Sequence, residues 1–178
     1  MDLDGFWALI ERSGRKESHP EDRAEWLITQ LAKLQPGEIE DFEVHFHRER
    51  ARADTWQLWG AAALVCDGAS DDAFWYFQAW LIGQGREVFE RVVADPDALA
   101  ELPAVRSDPD DFDWEDLDYV ACEAYEEVTG GADLDDALEA RGVRLLSSPD
   151  PQDEPFDLDD PAEQLRRYPR LTALVPSA

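Results

Sequence analysis

Two neighbouring stretches decide the fold: Trp56-Gln57-Leu58-Trp59-Gly60-Ala61-Ala62-Ala63-Leu64-Val65, and Ser70-Asp71-Asp72-Ala73-Phe74-Trp75-Tyr76-Phe77-Gln78-Ala79-Trp80-Leu81-Ile82-Gly83. Both read as helices. Thr55 or Asp54 is placed to cap the first, and Asp67-Gly68 to end it. Its small run, Gly60–Ala63, leaves room for another helix to approach closely. Ser70 caps the second, with Asp71 and Asp72 at the positive end of the helix dipole. Phe74, Phe77, Trp80 and Leu81 recur at helical spacing. Of the adjacent pair Phe74 and Trp75, one must leave the buried stripe, and an exposed Trp75 beside Tyr76 would mark a contact surface. Gly83 and Gly85 then break the chain before a short helix, Arg86–Ala94.

Upstream, Asp4 is placed to cap a helix bearing Phe6, Trp7, Leu9 and Ile10 that frays near Gly14. Ser18-His19-Pro20-Glu21 reads as a capping box, opening a helix with Ala24, Leu27, Ile28, Leu31 and Leu34 on one stripe. After Pro36-Gly37, a third helix turns Ile39, Phe42 and Phe46 inward and Glu38, Glu40 and Glu43 outward. Downstream, residues 104–113 read as an acidic loop. Trp114, Leu117, Ala121, Ala124, Tyr125 and Val128 form one helical stripe closed by Gly130-Gly131, and Asp133 caps a short helix to Ala140. Residues 147–161, with four prolines and six acids, read as irregular. Asp160-Pro161 starts a last helix to Arg167. The expected class is all-α: an irregular multi-helix bundle with an acidic, partly irregular C-terminal third. Residues 1–146 form the helical domain. Residues 147–178 supply an irregular segment and a short helix packing back on it.

The 178 residues carry a net charge of −26, unevenly placed. Residues 1–94 hold 18 acids and ten bases, residues 95–164 hold 24 acids and three bases, and residues 165–178 hold three bases and no acid. Such a field repels duplex nucleic acid, whose binding rests on neutralised phosphates, and suits a basic partner. The acidic N-terminus is unlike a secretory signal, and no stretch reaches the roughly 18 apolar residues of a membrane span. Cys66 and Cys122 lack metal or redox spacing. The expectation is a reduced cytoplasmic protein that binds no membrane; its oligomeric state is not legible.

Several phrases carry a family likeness: Asp4-Gly5-Phe6-Trp7-Ala8-Leu9-Ile10-Glu11; Trp56-Gln57-Leu58-Trp59-Gly60-Ala61-Ala62; Ser70–Phe74 running into Phe77–Phe89; Ala94–Leu99; Glu123–Gly130; and Tyr168-Pro169-Arg170-Leu171. Together they resemble the domain-of-unknown-function family numbered 4240, common in actinobacteria. The resemblance implies no catalytic residue, because that family has no known activity. It favours GC-rich coding as the reason for two lysines beside 14 arginines.

Polar constellations each have a plain reading and a functional one. Asp71 and Asp72 are first-turn acids of a capped helix, or carboxylates at a pocket mouth with Trp59, Trp75 and Arg86, where one would act as general acid or base, with Glu123 as a third candidate. Asp41, His45 and Glu49 share a helix face, either as a solvated charge ladder or as a weak metal set; His45 and His47, roughly 200° apart, cannot share an ion. Asp108–Asp118 is acid-rich, but neither Asp108 nor Asp111 as a start puts Gly sixth and Glu twelfth, as an EF-hand requires. Cys66 has no evident base. No P-loop, G-x-G-x-x-G or H-E-x-x-H is present, so no cofactor is implied.

The leading expectation is therefore an interaction module that binds a basic partner protein, an immunity- or antitoxin-like role being one form of it, rather than an enzyme. The alternatives are an enzyme or small-ligand domain with a pocket between Trp56 and Arg86, opening at the turn Asp67–Asp72, and a nucleic-acid mimic with carboxylates at phosphate spacing.

Overall fold

The computed structural model describes residues 1–66, 70–106 and 112–174. Every regular element among the described residues is a helix, and none is a strand. In order come α1 (Leu3–Lys16), α2 (Pro20–Leu31), α3 (Pro36–Ala53), α4 (Trp56–Val65), α5 (Asp71–Gly83) and α6 (Arg86–Ala94). Two short 3-10 segments (Pro96–Glu101, Pro103–Arg106) lead to a third (Glu115–Asp118), then α7 (Val120–Thr129), α8 (Leu134–Ala140), α9 (Pro161–Arg167) and α10 (Pro169–Leu174). No helix among the described residues is long and apolar enough to cross a membrane.

Local chemistry sets many boundaries. Thr55 accepts from the Leu58 amide, Ser70 from Ala73, and Asp133 from Asp136. Gly130, at φ 76°, takes the left-handed conformation that closes α7. Gly85, at φ 90°, turns the chain between α5 and α6.

Other starts differ from the sequence reading. Asp2, not Asp4, caps α1, accepting from the Gly5 amide, and Asp4 lies within the first turn. The helix continues through Gly14 because Arg23 braces it, donating to Ser13 Oγ and to the Gly83 carbonyl. The expected capping box at Ser18 does not form. His19 is the cap residue, without a side-chain bond, and Pro20 supplies the helical φ. Reciprocal capping occurs instead at α3, where Glu38 accepts from the Gln35 amide. Trp114 to Val128 is not one helix. A 3-10 turn precedes α7, and Trp114 lies over Gly83 with its indole N–H on the Pro20 carbonyl. Beyond Arg167 a further helix, α10, follows.

The core runs through α4 and α5 as a line of rings. Trp56 stacks on Trp59 at 5.1 Å, Trp59 on Phe74 at 4.7 Å, and Phe77 leads through Trp80 to Phe112. The close approach permitted by Gly60 is used by the C-terminal segment, not by a helix face. A Cβ there would stand 2.6 Å from the Tyr168 hydroxyl and 2.7 Å from Phe156. Tyr168 is buried and donates to the Gln57 carbonyl at 2.6 Å. Asp97 receives the backbone amides of Arg170 and Leu171, tying down the start of α10.

Helix α3 touches α1, α5, α7 and α8. Its buried face therefore extends beyond the apolar stripe to charged residues. Glu43, expected outside, is buried, as are Glu49 and Arg50. Charged groups can lie inside only if paired, and this requirement builds the site.

Candidate functional site

Glu43, His47 and Arg50 stand four and three residues apart on α3, so they fall on one face. That face is the floor of a groove. The start of α5 adds Asp71, Asp72, Trp75 and Tyr76; the 3-10 turn and α7 add Asp118, Tyr119 and Cys122; α8 adds Asp135 and Glu139. Residues 143–149, a strap outside any helix, complete the lining. The groove encloses about 800 Å³. A second, smaller cleft of about 370 Å³ lies where α3 also presents Val44, Arg48 and Ala51.

The floor is a buried ionic arrangement. The Arg50 side chain, 3% exposed, pairs with Asp118. Its guanidinium lies 4.0 Å from the centre of the Trp75 ring and 4.4 Å from that of Phe46. His47 faces Glu43 at 3.1 Å. Burial acts on both ions of the first pair: it pushes the Asp118 carboxyl up and the Arg50 guanidinium down, against the attraction between them. Arg50 Nε and Glu43 Oε2 are buried without a partner. The strap is held from below by Asp54, which accepts the Asp150 amide at 2.7 Å and Gln78 at 3.4 Å. Asp153 accepts the first amide of α4, at Trp56, at 2.6 Å.

On the far rim, Tyr76 donates to Glu115, and burial together with that carboxylate pushes its phenol up to about 12. Burial likewise raises the Cys122 thiol to about 12, with Glu43 adding to the effect, and burial and Asp113 do the same for Cys66. Thiols so reluctant to ionise are poor nucleophiles at neutral pH.

The structure distributes the residues singled out in the sequence. Asp71, Asp72 and Trp75 line the groove. Trp75 is half-buried, its face taken by Arg50. Trp59 is buried in the stacked core. Arg86 lies outside the groove lining, paired with Asp4 at 2.8 Å and Glu90 at 2.9 Å. Glu123 is exposed on α7, outside the lining. Asp41 pairs with Arg141, His45 meets the Met1 carbonyl at 3.3 Å, and Glu49 pairs with Arg52. Among the described residues, no group of three or more His, Cys, Asp or Glu is arranged to hold a metal ion. The turn 67–69 and the acidic residues 107–111 lie outside the described residues, so the expected pocket mouth and the two EF-hand starts fall there.

Arg50 and Arg144 are not singled out from the sequence, and Glu43, His47 and Asp118 are read there in other settings: Glu43 as outward-facing, His47 beside His45, and Asp118 in the acid-rich stretch. The signal for Glu43, His47 and Arg50 is a polar stripe along α3. It was readable as a stripe, but not as an interior one.

A family model described as Protein of unknown function (DUF4240) matches residues 1–127. Nothing among curated proteins or solved structures matches the chain. The match takes in the groove floor on α3, α5 and most of α7, whereas α8 and the strap lie beyond it.

Proposed function

We propose, from the premise that the chain belongs to the DUF4240 family of proteins of unknown function, that it is a cytoplasmic interaction module seating a basic segment of a partner protein in the groove. The observation that carries this reading is the lining. Among the described residues it holds six carboxylates: Glu43, Asp71, Asp72, Asp118, Asp135 and Glu139. Two arginines and one histidine accompany them, and Arg50 is already paired with Asp118. The excess of acid sits in a chain of net charge −26, and such a field steers cationic partners and speeds their encounter.

Apolar surface accompanies the charge. Tyr119 is 51% and Leu146 48% exposed, and both line the groove beside half-buried Trp75. An aromatic and aliphatic centre ringed by acids fits a segment that alternates basic and apolar side chains.

The test is titration with a peptide of alternating arginine and leucine. Asp71→Asn, Asp72→Asn and Glu139→Gln are combined in one variant. Glu87→Gln, Glu126→Gln and Glu127→Gln, exposed acids outside the groove, are combined in another with the same net charge. The groove variant is expected to bind about tenfold more weakly, and the control to stay within about twofold of the parent. Equal losses in both would reduce the attraction to diffuse charge and remove the groove from the account.

A further inference from the structure

The smaller cleft inverts the character of the larger. Among the described residues its charged lining comprises three arginines, Arg48, Arg50 and Arg144, with His47 and a single acid, Asp54. That is an unusual concentration in a chain with 42 acids and 16 lysines and arginines. Asp54 is already engaged, by the Asp150 amide and Gln78, and burial raises its carboxyl toward the neutral form. Arg48 and Arg144 form no ion pair or hydrogen bond among the described residues, although most arginines of the chain are paired. Arg50, nine-tenths buried and more, keeps its Nε without a partner. The remaining walls are apolar: Val44, Ala51, Val143, Leu145, Leu146 and the Trp75 ring.

A cavity of about 370 Å³ falls in the range of small-ligand sites. A lining that combines unpaired cationic donors with apolar side chains matches an anion with a hydrophobic body. A carboxylate suits the planar fork of arginine, which donates two parallel bonds to it. Polyphosphates are disfavoured on two counts: the apolar walls give their oxygens no partners, and the field of the whole chain opposes multiple negative charge. We infer that this cleft is a binding site for a small monocarboxylate with an apolar body. Arg48 and Arg144 hold the carboxylate, and Val44, Ala51 and the strap enclose the body. Arg50, Arg144 and the strap line both cavities, but this inference uses Arg48 and the cationic side and none of the rim acids on which the basic-partner reading rests.

The experiment is calorimetric titration of the full chain with sodium octanoate, and with octanamide and inorganic phosphate as separate probes. Octanoate is expected to bind saturably at one site, with octanamide at least about tenfold weaker and phosphate weaker still. Arg48→Gln with Arg144→Gln, both exposed and removable without disturbing the core, should weaken octanoate about tenfold. Ala51→Trp should abolish binding by filling the cleft. The groove variant Asp71→Asn, Asp72→Asn, Glu139→Gln should retain it, so failure of the basic-partner reading and failure of this one are separable. No saturable octanoate binding at millimolar concentration, equal binding of octanamide, phosphate binding as tight as octanoate, or unchanged affinity in the double arginine variant would each overturn the proposal.

Discussion

Replacing Gly60 by alanine separates local from tertiary reasoning, because the two predict opposite signs. Gly60 lies inside α4. Helix propensity alone makes Gly→Ala there stabilising by about 1 kcal/mol. The packing argues otherwise. The new Cβ would stand 2.6 Å from the Tyr168 hydroxyl, 2.7 Å from Phe156 Cζ and 3.3 Å from Leu158 Cδ2. Relieving the first contact moves a buried tyrosine off the Gln57 carbonyl, and a buried hydroxyl left without its acceptor costs roughly 1–3 kcal/mol. Displacing the rings adds overpacking of roughly 1–3 kcal/mol. Set against the helix gain, the net expectation is a loss of about 3 kcal/mol, near 6–12 °C in Tm for a chain of this size. Urea unfolding followed by circular dichroism measures the loss. Hydrogen exchange at residues 156–174 should rise more than at α1–α3, because the C-terminal segment is what gives way. In a Tyr168→Phe background the alanine should cost less, since the two sites share one contact. A Gly60→Ala protein more stable than the parent would refute the reasoning, and with it the docking of Tyr168 on α4.

Three other outcomes follow from the buried charges and thiols. Arg50→Met leaves Asp118 without its cation in the interior and should cost roughly 3–5 kcal/mol, while Arg50→Met with Asp118→Leu should recover most of that; urea midpoints for the set decide it, and equal loss in single and double variants would speak against the pair. The Asp54 carboxyl is raised above its ordinary value of 3.8, chiefly by burial. The folded chain therefore holds a proton that the unfolded chain has released, and stability falls as pH rises from that value through the folded one. Asp54→Asn should flatten this part of the stability–pH profile, and an unaltered slope would remove Asp54 as its source. Cys66 and Cys122, with thiols pushed up to about 12, should react with Ellman's reagent at pH 8 at least about tenfold more slowly than free cysteine until the chain is unfolded; prompt native-state labelling would contradict the burial.

Sequence and tertiary structure decided different things here. The boundaries of α5 and α6, the close of α7 at Gly130 and the starts of α8 and α9 depend on interactions within a few residues: Ser70 on the Ala73 amide, Asp133 on Asp136, Asp160 on Ala162, and glycine at positive φ. Those short-range terms are written in the local sequence, and the aromatic periodicity identified the all-helical class with them. The sequence could also place Asp71, Asp72 and Trp75 together at the start of one helix, but it could not tell what they would face. Helical periodicity marks one apolar side and leaves open whether the polar side meets water or another helix. On α3 that choice was made by partners far along the chain. Asp118 lies 68 residues from the Arg50 it neutralises, and Asp150 lies 96 from the Asp54 that holds the strap. Only when α7, α8 and residues 143–149 close over α3 do Glu43, His47 and Arg50 become an interior charged floor. Desolvation is a property of that assembly, so it was absent from the stripe of residues that supplies the charges.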